Sequence, residues 1–179
     1  MFIDLETKRL ALKCIGYDDA DFFYKEFSTD AVNAYLYDAD PCTSIEEAKA
    51  WISFYVKEEP RNQNRWIMIL KNTGEKIGTC GFHCWDRQEH TVEIGYDLQP
   101  EFWRNGYSYE ALQEIIKYAS QQMKVKKIYA HISVDNIASI NLVLKLGFTK
   151  TQADYYEEFR NKKFLHNVYL LETKKLFDL

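Results

Sequence analysis

The spacing of apolar positions changes character near Pro100. Before it, two short helical stretches and a capped helix lead into a strand meander; after it, helix and strand alternate. Residues 9–15 alternate loosely between apolar and polar, which predicts a strand. Asp18 and Asp19 then cap an amphipathic helix through Phe27. Residues 28–30 start a second short helix that reaches Tyr37, and Pro41 ends it. Ser44 and Glu47 form a capping-box pattern. The helix behind it places Ala48, Trp51, Ile52, Tyr55 and Val56 on one face and stops at Pro60.

Residues 65–70 are almost continuously apolar and predict a buried strand. A turn at 72–75, a return strand at 76–85, a turn at 86–89 and a strand at 91–98 complete an antiparallel meander. Residues 106–122 then carry Ala111, Leu112, Ile115, Ile116 and Ala119 at helical spacing. A strand follows at 127–134, with Ile128, Ala130, Ile132 and Val134 alternating with Tyr129, His131 and Ser133. Asp135 and Asn136 cap a short helix ending at Gly147, a good residue for a left-handed stop. Strands at 148–155 and 166–171, around a turn at 161–163, close the pattern. The order β-α-α-α-β-β-β-α-β-α-β-β is an α+β class.

Composition narrows the picture. The chain has 179 residues, with net charge −4 and 46% hydrophobic positions, so one folded domain spanning 1–179 is expected. The absence of a basic block argues against nucleic acid. No apolar run is long enough for a membrane span, and the first residues lack a leader pattern, so a cytoplasmic protein is expected. Cysteines at 14, 42, 80 and 84 do not form a disulfide framework and read as reduced thiols. Cys80 and Cys84 share a strand face that His83 does not, so no metal is expected.

The densest chemistry lies at residues 95–112. Strand, loop and helix start follow one another, and the loop carries Arg104 and Gly106. A helix N-terminus offers unpaired N–H groups and the positive end of a dipole, a natural phosphate seat. An ordinary strand–helix connection has the same look. Asn136 and Ser139 are explained as an N-cap and a first-turn serine.

Three blocks resemble the GCN5-related N-acetyltransferase (GNAT) superfamily over the chain's whole length. They are residues 7–13, residues 93–98 with 102–111, and residues 136–139 with 145–148. The second block is similar to the RimJ/RimL branch, which acetylates N-termini of ribosomal proteins. The resemblance implies a mixed, mostly antiparallel sheet of six to seven strands flanked by helices, with acetyl-CoA in the cleft where the central strands splay. It implies that the backbone of Arg104, Asn105, Gly106, Tyr107 and Ser108 holds the pyrophosphate. The strand edge at Tyr96 and Leu98 would hold the pantetheine arm, their side chains being core. Asn136 and Ser139 would contact the cofactor, Ser139 also serving the departing thiolate. Many superfamily members place a tyrosine acid seven residues after the motif asparagine; Val143 stands there instead.

The base is left between Glu158, which matches the branch's glutamate, and Glu93, with Glu157 one residue away. Glu93 lies on the strand face opposite Val92, Ile94, Tyr96 and Leu98, so it can point into an acceptor cleft. A solvated carboxylate is the competing reading for each. His83, His131 and His166 are further candidate bases, although a satisfied structural role is the favoured reading for each. Tyr35, Tyr37, Trp51, Tyr155, Tyr156 and Phe159 are candidate acceptor contacts, although packing explains most of them. The function implied is transfer of acetyl to a protein N-terminal α-amine by direct attack in a ternary complex. Acetylation of a polyamine, amino acid or antibiotic, or CoA sensing without catalysis, are the alternatives. A homodimer is compatible with the branch.

Overall fold

In the computed structural model, which describes residues 2–37 and 40–173, the strands pair into one mixed sheet of order β1-β2-β3-β4-β5-β6-β8-β7. They are β1 (Leu5–Glu6), β2 (Leu10–Cys14), β3 (Asn64–Leu70), β4 (Lys76–Asp86), β5 (Thr91–Leu98), β6 (Lys127–Ser133), β7 (Thr149–Phe159) and β8 (Lys162–Glu172). The helices are α1 (Ala20–Phe27), α2 (Asp30–Asn33), α3 (Ile45–Ser53), α4 (Tyr107–Gln121) and α5 (Ile137–Lys145). Every neighbouring pair is antiparallel except β5 with β6. A parallel pair needs a crossover, and α4 is that crossover.

The period of two in each strand divides the sheet into two faces. Trp66, Met68, Phe82, Val92, Ile94 and Ile128 belong to one core, which the α4 stripe Ala111, Leu112, Ile115, Ile116 and Ala119 covers. Ile15, Phe23, Phe27, Ala48, Ile52 and Ile67 form the core beneath α1 and α3 on the other face. Burying each large side chain contributes about 1.5–3 kcal/mol, so both helical layers are held by packing more than by propensity.

The helix starts follow local chemistry. Ser44 Oγ accepts from the Glu47 N–H at 3.1 Å. The Glu47 carboxylate reaches the Thr43 N–H (2.8 Å) and hydroxyl (2.7 Å), so the expected reciprocal box is displaced by one residue. Gly106 precedes α4 at φ 79°, and Gly147 follows α5 at φ 93°; both conformations favour glycine.

Several sequence expectations change. The sheet has eight strands, not six or seven, because β1 adds a two-residue edge pairing to β2. The helix from Thr29 stops at Asn33 rather than Tyr37, and α3 stops at Ser53 rather than near Pro60. The final hairpin is longer: β7 runs to Phe159 and β8 starts at Lys162. Arg160 and Asn161 between them both have positive φ, 49° and 59°, as a two-residue hairpin turn with the sheet's own twist requires. This tip carries charged residues and little apolar alternation, so backbone pairing holds it, and hydrophobic periodicity does not reveal it.

One buried polar cluster lies between α1 and the central strands. Asp97 accepts from the Thr79 N–H (2.9 Å), the Thr79 hydroxyl (2.5 Å) and Arg65 Nη2 (2.5 Å). Glu26 of α1 is fully buried, and among the described residues neither of its oxygens has a hydrogen-bond partner. Burial, and then the charge of Asp97, push its carboxyl up from 4.5 to about 9. Glu26 is therefore neutral in the folded chain where it is ionised in the unfolded chain. Its contribution to stability is full below pH 4.5 and is lost as pH rises toward about 9. Glu26→Gln keeps the neutral shape. Thermal unfolding should match wild type near pH 4.5, and toward alkaline pH the variant should be more stable by at least the order of 1 kcal/mol, about 2–4 °C in Tm. Equal pH slopes for the two proteins would refute the neutral-Glu26 assignment.

Candidate active site

The parallel pairing of β5 with β6 covers only Thr91–Lys127, Val92–Ile128 and Glu93–Tyr129. Beyond Glu93, β5 continues to Leu98 with β4 as its partner, and its other edge faces a gap. A cleft of about 480 Å³ opens there, and its walls come from both faces of the sheet.

On the α4/α5 face, the Tyr96 ring packs on the core, and its hydroxyl lies 2.6 Å from Ser139 Oγ. Ser139 is placed by Asn136, whose Oδ1 accepts from the Ser139 N–H at 3.1 Å at the start of α5. Burial pushes the Tyr96 phenol up to about 12, against the opposing hydrogen bond with Ser139. The phenol therefore keeps its proton at neutral pH. The side chain is core, as the sequence expectation has it, and its hydroxyl in addition meets Ser139.

On the opposite face, Glu93 reaches His83 Nε2 at 3.1 Å and His131 Nε2 at 3.9 Å. The hydrogen bond from His83, against partial burial, and the nearby His131 hold the Glu93 carboxyl below its usual range. Tyr155 stacks on His166 with ring centroids 5.3 Å apart and stands 5.6 Å from His131. Register explains the grouping: His83 pairs with Glu93, Ser133 with His166, and His166 with Tyr155, so all share one face.

The loop before α4 is exposed from Trp103 to Gly106. Arg104 (φ 61°) and Gly106 (φ 79°) curl it at the helix start. Trp103 Nε1 donates to the Leu98 carbonyl at 2.7 Å, and the Asn105 amide donates to the Phe102 and Trp103 carbonyls. Tyr107 and Ser108 begin α4. From the bend just before β2, Arg9 donates to the Asn105 carbonyl (3.0 Å) and to Glu110 Oε2 (2.6 Å), and its guanidinium lies 4.4 Å over the Tyr107 ring. Glu110 also accepts from the Thr7 hydroxyl (2.6 Å) and the Arg9 N–H (2.7 Å). Although burial opposes it, these bonds hold the Glu110 carboxyl below its ordinary range.

Residues 9–149 match the family model for the acetyltransferase (GNAT) domain. The chain belongs to the GNAT acetyltransferase family. The acetyltransferase is 38% identical over 151 residues to the N-acetyltransferase YoaA of Bacillus subtilis, covering 84% of this chain and 85% of the relative. It is 27% identical over 121 residues to the ribosomal-protein-serine acetyltransferase of Escherichia coli, covering 68% and 67%. A solved Vibrio cholerae spermidine N-acetyltransferase, in complex with CoA and spermine, superposes with TM-score 0.84 at 17% identity over 95% of this chain and 99% of that one. This acetyltransferase is thus an acetyl-CoA-dependent acyltransferase whose relatives include both protein and small-amine enzymes.

The structure brings Glu93, Tyr96, Asn136 and Ser139 to one cleft. Arg104, Asn105, Gly106, Tyr107 and Ser108 form the loop and the first turn of α4. Glu158 is not brought to the cleft. Its side chain is 70% exposed and pairs with Lys163 at 3.0 Å; strand alternation turns Glu157 inward instead. His83, His131 and His166, candidate bases for which a structural role is the favoured sequence reading, all line the cleft. Arg9 and Glu110 lie within the blocks 7–13 and 102–111, where local sequence gives them no role. A salt bridge spanning 101 positions leaves no local pattern in the chain. Among the described residues, no cluster of three metal-ligating side chains occurs, and no helix is long and apolar enough to cross a membrane.

Glu110→Ala removes the acceptor that holds Thr7 and Arg9 against the loop. A loss of about 1–3 kcal/mol is expected, with faster amide exchange across residues 103–108. Unchanged exchange there would show that the loop is held by its own turns.

Proposed function

We propose that this acetyltransferase acylates the α-amine of a peptide or protein N-terminus by direct attack in a ternary complex. The observation carrying this reading is the charge of the acceptor side of the cleft. Two carboxylates, Glu93 and Glu157, stand among three histidines and Arg65, and Arg65 is itself paired with Asp97. One cationic amine suits that inventory; with Glu93 engaged by His83 and His131, Glu157 alone is left for the further charges of a polyamine. A second cavity of about 290 Å³, lined by Phe23, Phe27, Trp51 and Tyr55, shares Leu36 and Arg65 with the cleft. It is suited to an apolar or aromatic first side chain.

In this reading the pyrophosphate rests on the backbone of residues 104–108, and the pantetheine arm follows the β6-facing edge of β5 past Tyr96 and Leu98. The thioester then stands at the gap. The thiolate leaves on the face of Ser139 and Tyr96, where the protonated phenol and the serine hydroxyl form a donor pair. The amine arrives on the face of Glu93. The nucleophile and leaving group thus meet the carbonyl from opposite sides of the sheet, and preorganised geometry does much of the work.

Thiol release from acetyl-CoA tests the acceptor. Peptides with an apolar or aromatic first residue should exceed acidic-first peptides and spermidine by at least about tenfold in kcat/KM, ~1.4 kcal/mol. A clear preference for spermidine would overturn the reading. For the leaving-group side, Ser139→Ala and Tyr96→Phe should each lower kcat about tenfold or more, with KM for acetyl-CoA nearly constant. A Tyr96→Phe enzyme with wild-type kcat would remove the phenol from the relay.

A further inference from the structure

The acceptor side holds a carboxylate that is well ionised and therefore a weak base for an ammonium group. Glu93 is surrounded by donors: His83 Nε2 at 3.1 Å, His131 Nε2 at 3.9 Å and the Cys84 thiol nearby. When His83 Nε2–H donates to Glu93, the other ring nitrogen, Nδ1, carries the lone pair. Among the described residues Nδ1 makes no hydrogen bond. It faces Gly95, two residues past the last β5/β6 pair. A Cβ built at Gly95 would lie 3.8 Å from Nδ1 and 3.5 Å from Cε1. Glycine leaves that space empty. The free nitrogen thus overlooks the bare backbone where β5 has lost its β6 partner, and 43% of the side chain is open to solvent.

We infer that His83 is the general base of the reaction and that Glu93 is its positioning carboxylate. This rests on the cleft being the acetyl-transfer site, but not on the acceptor being a peptide. His83 Nδ1 takes one proton from R–NH3⁺, giving imidazolium and R–NH2. The amine lone pair attacks the acetyl carbonyl, a C–N bond forms, and the carbonyl electrons move to oxygen. As the carbonyl re-forms, the C–S bond breaks. The thiolate receives a proton through Ser139 and Tyr96, and the second proton on nitrogen makes good that donation. The products are R–NH–acetyl and CoA thiol, and His83 releases its proton to water through its exposed edge. As a class of side chain, imidazole is a better-matched base for an ammonium group than an ionised carboxylate. His131, on the far oxygen of Glu93, helps keep the carboxylate ionised.

The test uses the intact protein, saturating acetyl-CoA and whichever amine the wild-type enzyme turns over fastest. A polyamine preference would therefore count against the peptide reading alone. His83→Ala should lower kcat by about 10²–10⁴-fold, with CoA affinity and Tm close to wild type. Added imidazole, with imidazole-only blanks subtracted, should restore at least a tenth of the lost rate. Glu93→Gln should lower kcat less than His83→Ala does, without imidazole rescue, and His131→Ala should have a smaller effect still. A His83→Ala enzyme within threefold of wild type would overturn the inference. So would a large loss that imidazole leaves untouched, or a greater loss in Glu93→Gln than in His83→Ala.

Discussion

Three residue pairs hold β5 to β6, and then the pairing stops. Most of what this protein can do depends on that interruption. A continuous sheet would bury every backbone group of its central strands and present two closed faces. Here β5 keeps β4 on one side and offers a free edge on the other. An amide-rich ligand can use that edge as a strand would. The gap also connects the two faces, which elsewhere are separated by the packed core.

Because the gap passes through the sheet, strand alternation divides the chemistry. Even-numbered residues of β5, such as Tyr96, look toward α4 and α5; odd-numbered ones, such as Glu93 and Gly95, look toward the acceptor side. Tyr96 thus reaches Ser139 on α5, while Glu93 gathers histidines from β4 and β6. Each face has its own environment. The Tyr96 side is desolvated and keeps a phenol protonated; the Glu93 side is half open and keeps a carboxylate ionised.

The floor and rim of this arrangement are fixed by contacts distant in the chain. Arg65, Thr79 and Asp97 join β3, β4 and β5 across the acceptor face, and the neutral Glu26 packs α1 against them. Arg9 and Glu110 join the bend before β2 to the first turn of α4 and steady the loop between β5 and α4. Both sets cost desolvation, and both are nearly fully hydrogen-bonded, Glu26 excepted. Such networks favour one geometry over its neighbours.

The sequence alone determined the order of elements, the β5 span at residues 91–98, the α4 stripe, the Asn136 cap and the family. Each follows from local periodicity, capping or short motif spacing. Its failures were also local: the β7/β8 tip has no apolar alternation, and β1 is too short to show a period. Only the tertiary structure decided which carboxylate reaches the cleft, because Glu157 and Glu158 differ by one residue and alternation sends them to opposite faces. It alone brought His83, Glu93 and His131 together, since strand register, not sequence distance, sets that contact. It placed Arg9 on the loop for the same reason. Identity of elements is written in near-neighbour preferences, whereas the site is made by pairings between residues tens of positions apart.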